Sequence, residues 1–143
     1  MNSLKLHHSG VTLLLSAVLP ADYAKAYCPT HSFDILVDSR TVGHLRFRIG
    51  QSKHILFYSG QLAYGIHEEH RGNRYATKAL QAVLPHCLEY FPEIYITCDP
   101  ENVASRKTIE AVNHRFIGEV EVPRNNPMYK QGHRRKRRYA LTQ

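Results

Sequence analysis

The repeat of apolar residues changes near the middle of the chain, and that change sets what the chain can fold into. Leu45, Phe47 and Ile49 alternate with His44, Arg46 and Arg48, the period of two expected of a strand with one buried face. From Asn73 to Tyr90 the apolar residues are Tyr75, Ala76, Ala79, Leu80, Val83, Leu84, Cys87 and Leu88. Their i, i+3, i+4 spacing predicts a helix of more than four turns. Pro85 falls on the polar face with Lys78 and Gln81, so a bend toward water is expected there, not a break. A sheet feeding a long amphipathic helix excludes all-α and all-β architectures.

The remaining patterns extend this. Val11 to Leu15 predicts a first strand, followed by a polar stretch to Ser32. Asp34 to Val37 and the alternating run after it form a hairpin across Asp38-Ser39-Arg40. A fourth strand is expected from about His54 to Ile66, with Gly60 and Gly65 marking bulges or close approaches. Glu93 to Cys98 is a fifth strand, a second helix runs from near Asn102 to about Asn113, and Phe116 to Val122 is a sixth strand. Pro123 to Gly132 reads as a loop, and Arg134 to Leu141 as a last strand. The expected fold is mixed α/β (α+β) in a single domain over residues 1–143, with six to seven mostly antiparallel strands and helices on both faces.

Composition narrows the function. No apolar run approaches the ~20 residues of a membrane helix, and Met1 to His8 has no signal-peptide pattern, so a cytoplasmic protein is expected. Cys28, Cys87 and Cys98 have no CxxC spacing, and the ten histidines show no metal-ligand pattern, so no metal is expected. The net charge of +7 favours anionic partners.

The turn between the fourth strand and the long helix is where an anion would sit. Backbone N–H groups in a first helical turn have no internal partner, and the helix dipole makes that end positive. Gly72 allows close approach, and Arg71 and Arg74 add charge, a design suited to a diphosphate. A strand-turn-helix with a junction glycine also occurs without any ligand.

Arg71-Gly72-Asn73-Arg74-Tyr75-Ala76, preceded by Gly65-Ile66, resembles the pyrophosphate-binding motif of the GNAT acyltransferase superfamily. That motif runs Gln or Arg, two residues, Gly, one residue, then Gly or Ala, and Arg74 stands where a glycine is usual. Asn102-Val103-Ala104-Ser105 resembles the family's Asn-x-x-Ser element near the pantetheine arm. Phe33 to Leu36, Tyr64 to His67, Thr97 to Pro100 and Ser105 to Glu110 resemble a group of predicted acetyltransferases within the superfamily. The resemblance implies acetyl-CoA as co-substrate and a primary amine as acceptor, a small molecule more than a protein, attacked directly in a ternary complex. It implies cofactor contacts from Ile66, His67, Arg71, Gly72, Asn73, Arg74, Tyr75, Ala76, Thr77, Asn102, Ser105 and Lys107. A backbone N–H around Ile66 or His67 would polarise the thioester carbonyl.

Relatives place a proton-donating tyrosine seven residues after the Asn, where this chain has Ile109. Tyr139 is the candidate substitute, with Cys98 and Tyr64 as others. Among groups at the strand ends, His67 and Asp99 are candidates for the base, His67 having the ordinary pKa nearest neutrality. A non-catalytic CoA- or anion-binding module on the same fold is the alternative. For Arg134-Arg135-Lys136-Arg137-Arg138 a charged, solvated edge strand, a contact to an acidic substrate or the CoA phosphate, and nucleic-acid binding stay open, the last giving a third reading of the function. Either a monomer or a homodimer is compatible with the sequence, and no membrane partner is expected.

Overall fold

The structure is a computed structural model that describes residues 4–22 and 28–143. Part of the stretch from Pro20 to Ser32 therefore lies outside the described residues. Strands β1 (Lys5–His8), β2 (Val11–Leu19), β3 (Thr30–Val37), β4 (Arg40–Arg48) and β5 (Leu62–Ile66) form an antiparallel sheet in chain order. After β5 come helix α1 (Tyr75–Cys87), strand β6 (Ile94–Cys98), helix α2 (Val103–Glu110), strand β7 (His114–Glu121), the short helix α3 (Pro127–Lys130) and strand β8 (Arg135–Leu141). The last three strands make a second antiparallel sheet in the order β6-β8-β7.

One core joins the two sheets. Leu13, Phe33, Ile35, Leu45, Phe47 and Leu62 pack with Ala79, Leu80, Val83 and Cys87 of α1. Ile94, Ile96, Tyr139 and Leu141 of the second sheet join the same core together with Ile109 of α2. Alternation leaves His44, Arg46 and Arg48 on the opposite face of β4. On that side of the second sheet sits a π-helical turn, Ile55–Ser59. Thr97 Oγ1 donates to the Tyr58 carbonyl at 2.7 Å, and Arg138 donates to the Leu56 carbonyl at 3.0 Å while stacking on Phe57.

The helix from the 3.6-residue repeat is present, and Pro85 is exposed within it. The hairpin at Asp38-Ser39 is also present. Both residues have positive φ (50° and 64°), the twist that matches a two-residue hairpin. Three expectations change. Strand β1 pairs with β2 although its sequence carries no clear alternation. The strand expected from His54 to Ile66 begins only at Leu62, because Ile55 to Ser59 coil and Gly60 turns the chain at φ 76°. The last strand is central, not an edge.

Most of the basic run is nevertheless met by internal partners, although Arg134 and Arg135 are exposed. Lys136 is 7% exposed, with Nζ 2.8 Å from Asp99 Oδ1. Arg137 bonds Glu119 at 2.8 Å, and Arg135 lies within 3.5 Å of both Glu119 and Glu121. Arg134 stacks on Tyr129 at 4.0 Å. These cations are internal partners of acids and rings, not a phosphate-binding stripe.

Among the described residues, no helix is long and apolar enough to cross a membrane, and no group of three or more His, Cys, Asp or Glu is placed to hold a metal.

His31 and His86 close the far end of the core. Their ring nitrogens lie 3.0 Å apart among Phe33, Phe47 and Tyr90. Burial holds both imidazoles below their ordinary pKa, and for His86 the neighbouring His31 adds to the effect. The unfolded chain therefore binds protons that the folded chain refuses. Stability is complete above about pH 6.5 and declines as pH falls below it. Thermal melts from about pH 7.5 to about pH 5.5 are expected to show a falling Tm, with a shallower slope in His86→Gln.

Candidate active site

The two sheets meet at the start of β5 and then part. The Gln61 backbone N–H donates to the Tyr95 carbonyl at 2.7 Å, and the Gln61 side-chain oxygen accepts from the Tyr95 N–H at 2.9 Å. Its amide nitrogen donates to the Gly50 carbonyl at 2.9 Å. Beyond this junction β5 pairs only with β4, and β6 only with β8. A gap therefore opens toward the C-terminal ends of β5 and β6.

The register fixes what β5 presents to the gap. The His67 N–H donates back to the Val42 carbonyl at 2.8 Å, and the odd-numbered positions Gly65 and Ala63 continue that bonded alternation against β4. The N–H and C=O groups of Tyr64 and Ile66 thus point the other way. The Ile66 carbonyl is met there by Arg71 Nε at 3.0 Å. Of the two backbone donors expected to polarise a carbonyl, the Ile66 N–H remains available and the His67 N–H is occupied. The His67 ring packs against His44, 5.3 Å between centroids, not in the cavity facing α1.

At the top of the gap lies the start of α1. Arg74 is its N-cap residue and makes no side-chain cap, and the first turn holds no acid. The first helical N–H with an internal partner is that of Lys78, which donates to the Arg74 carbonyl at 3.1 Å. The N–H groups of Tyr75, Ala76 and Thr77 are thus uncapped. Gly72 has φ 86°, and Arg74, where relatives carry glycine, has φ 61°. Arginine has taken the left-handed conformation that glycine supplies without strain. Asn73 braces the loop instead of facing the cavity, donating to the His70 carbonyl at 3.0 Å.

A cavity of about 360 Å³ joins these parts, bringing Ile66, Arg71, Gly72, Arg74, Tyr75 and Ala76 together with Asn102 and Ser105. Asn102 caps α2 by accepting from the Ser105 N–H at 3.1 Å, so this pair shapes the wall as well as lining it. An adjoining cavity of about 540 Å³ shares Arg74 and adds Thr77, Lys107 and Lys78. Lys78 was not among the sequence candidates. It stands one turn after Arg74, a spacing that places both on one helix face and was available in the sequence.

The acid–base candidates are dispersed. Tyr139 is fully buried, donates to Glu110 Oε2 at 2.5 Å and accepts from Arg137 Nε at 3.0 Å. Asp99 is held by His133 at 2.7 Å and Lys136 at 2.8 Å. Burial opposes its ionisation, but those bonds outweigh burial and keep the carboxyl below the usual range. Cys98 is buried, and burial pushes its thiol up. Tyr64 differs. Its hydroxyl is buried in the cavity wall beside Ser105 and Thr108 without a well-formed hydrogen bond, and burial raises its pKa.

A gap between two sheets, an uncapped helix start and flanking cations thus lie together in one region. The profile of the acetyltransferase (GNAT) domain family matches residues 17–114, and the chain belongs to that family. Its fold is shared with Mycobacterium smegmatis RimJ, solved in complex with CoA-disulfide, at 24% identity and TM-score 0.60 over 79% of this chain and 53% of that one. The RimL ribosomal L7/L12 alpha-N-protein acetyltransferase, in an apo form, superposes with TM-score 0.69 over 100% of this chain and 96% of that one at 14% identity. The microcin C7 self-immunity acetyltransferase MccE, in complex with acetyl-CoA and AMP, matches 80% of this chain and 61% of that one at 15% identity and TM-score 0.57. The chain spans about half the length of RimJ. No curated protein shows significant sequence similarity to it.

The strain at Arg74 gives a direct test. Left-handed backbone costs a residue with a Cβ about 1–2 kcal/mol. Arg74→Gly is therefore expected to melt at or above the wild-type temperature, and Arg74→Val several degrees below it. Calorimetry of the two variants checks this.

Proposed function

We propose that the protein is an N-acetyltransferase that moves an acetyl group from acetyl-CoA to a primary amine. The observation that carries this reading is the alignment of two unmet needs along one gap: unpaired β5 N–H groups in its wall and uncapped N–H groups at its top. The diphosphate of the co-substrate would lie on the start of α1, near Arg71 and Arg74. Lys78 and Lys107 flank the adjoining cavity and suit a further phosphate. The pantetheine arm would run down the gap beside Asn102 and Ser105, and acetyl-CoA supplies an activated thioester there.

The chain's own groups then divide the work. The Ile66 N–H faces the place where a carbonyl oxygen would gain charge. The incoming neutral amine forms a C–N bond as the C–S bond breaks; its nitrogen gives up a proton to water, and the leaving sulfur takes one from a donor that water then reprotonates. Tyr64 is our choice of donor. Burial favours the protonated hydroxyl against the opposing effect of neighbouring Ser105 and Thr108, and the hydroxyl makes no well-formed hydrogen bond. Tyr139, bonded on both sides within the core, becomes a structural residue in this reading, and Asp99 an ion-pair centre.

Acetyl-CoA at about a hundred times its Kd is expected to stabilise the fold by about 2.7 kcal/mol, read as a rise in Tm. Absence of any shift at millimolar ligand would reject the binding reading. With an amine and peptide panel and thiol detection, Tyr64→Phe is expected to lower kcat about a hundredfold while leaving the acetyl-CoA dissociation constant within a few-fold. A rate unaffected by Tyr64→Phe would remove it from the mechanism.

One observation favours a second reading. Ile109, at the position of the relatives' tyrosine, is fully buried and cannot donate a proton. A CoA-binding module without transfer activity would show the thermal shift and no thiol release across the panel.

A further inference from the structure

A third cavity, about 730 Å³, opens on the sheet face away from α1, where β2, β3 and β4 end beside the π-helical turn. Arg46, Arg48 and His54 line it, and among the described residues no Asp or Glu does. Arg48 is half-buried and donates to the carbonyls of Ser59 at 3.1 Å and Gly60 at 3.0 Å. Those carbonyls immediately precede Gln61, where the gap between the sheets begins. The Arg46 side chain is exposed and makes no hydrogen bond or ion pair among the described residues. Burial lowers the Arg48 pKa; neighbouring Cys28 opposes that, and Arg46 adds a smaller lowering. His54 is held by Asn126 at 3.1 Å, and burial and Arg48 keep its imidazole below the ordinary pKa. The cations from Arg134 to Arg138 face acids or rings, whereas neither Arg46 nor Arg48 meets an acid or a ring among the described residues.

We propose that Arg46 and Arg48 select the acceptor: it is a primary amine that also carries a carboxylate or phosphate. This rests on the acetyltransferase reading. The anionic group would sit between the two guanidiniums, a charge-assisted contact stronger than a neutral hydrogen bond. Tyr64 lies three residues along the strand from Gln61, about 10 Å at ~3.3 Å per residue. An amine at the end of a short chain would therefore reach the gap from the anchored anion. A free amino acid analogue and the N-terminus of an acidic peptide share this chemistry.

The test compares 6-aminohexanoate, hexylamine and 1,6-diaminohexane as acceptors, with peptides Ser-Glu-Ala, Ser-Gln-Ala and Ser-Lys-Ala in a second arm. The anionic member of each arm is expected to have a kcat/KM at least about tenfold above its neutral and cationic counterparts. Preference in the first arm alone identifies a small molecule, and preference in the second alone a peptide. In Arg46→Gln that preference is expected to fall toward parity, and in Arg46→Glu to reverse, while the acetyl-CoA-induced rise in Tm persists. That retained shift shows the variants fold and separates failure here from failure of cofactor binding. Equal or better use of the neutral or cationic acceptors by the wild type overturns the proposal. Where acetyl-CoA binds but no acceptor turns over, NMR titration with 6-aminohexanoate against hexylamine decides: perturbation of Arg46 and Arg48 signals by the acid alone supports it, and no such difference overturns it.

Discussion

Gln61 is the contact on which the site depends. It is 1% exposed, and its side chain and backbone tie β5 to β6 and to Gly50 with three hydrogen bonds. A buried amide is tolerated only when its donors and acceptors are met, and here they are met by backbone groups of two different segments. Truncating it would leave the Tyr95 N–H and Gly50 carbonyl unmatched, at about 1–3 kcal/mol each. Because the sheets are joined there and nowhere further along β5, the strand keeps an unpaired edge. An unpaired edge inside a fold is ordinarily a liability. In this protein it forms the wall of a cavity.

The same economy of partners governs charge. The net +7 would, if spread evenly, describe a generic polyanion binder. Packing divides it otherwise. Strand β8 lies between β6 and β7, so Glu119, Glu121 and Asp99 meet Arg135, Arg137 and Lys136 across short distances. The cations without an acid include Arg71, Arg74 and Lys78 around the start of α1 and Arg46 and Arg48 at the end of β4. The densest cationic run in the chain is thus engaged largely by internal partners.

Much of the fold was legible because its signals are local. The 3.6-residue repeat marked α1, the Asn-x-x-Ser pattern marked the capped start of α2, and Asp38-Ser39 marked a hairpin. The cavity residues from Ile66 to Ala76 were legible for the same reason, since a turn and a helix start are properties of a few adjacent residues. Strand β1 was not visible, since Lys5 to His8 have no alternating pattern and depend on pairing with β2. The long fourth strand was overcalled because Ile55 to Tyr58 are apolar and aromatic, which suits a strand and a packed π-helical turn equally. Tyr139 and Asp99 looked available because sequence shows residue type and strand end, but not the Glu110, His133 and Lys136 that engage them.

The sequence by itself determined the elements with their own periodicity: the strand-turn-helix around Gly72, its uncapped positive end and the family it resembles. Those follow from backbone geometry within a few residues. Tertiary structure alone decided that Gln61 is where β5 and β6 stay joined, that β8 is central, that Tyr64 and not Tyr139 lines the cavity, and that Arg46 and Arg48 lack acids among the described residues. Each depends on which distant segments lie side by side. Hydrogen bonds and ion pairs act over a few ångströms, so no spacing along the chain can reveal a partner that only folding brings near.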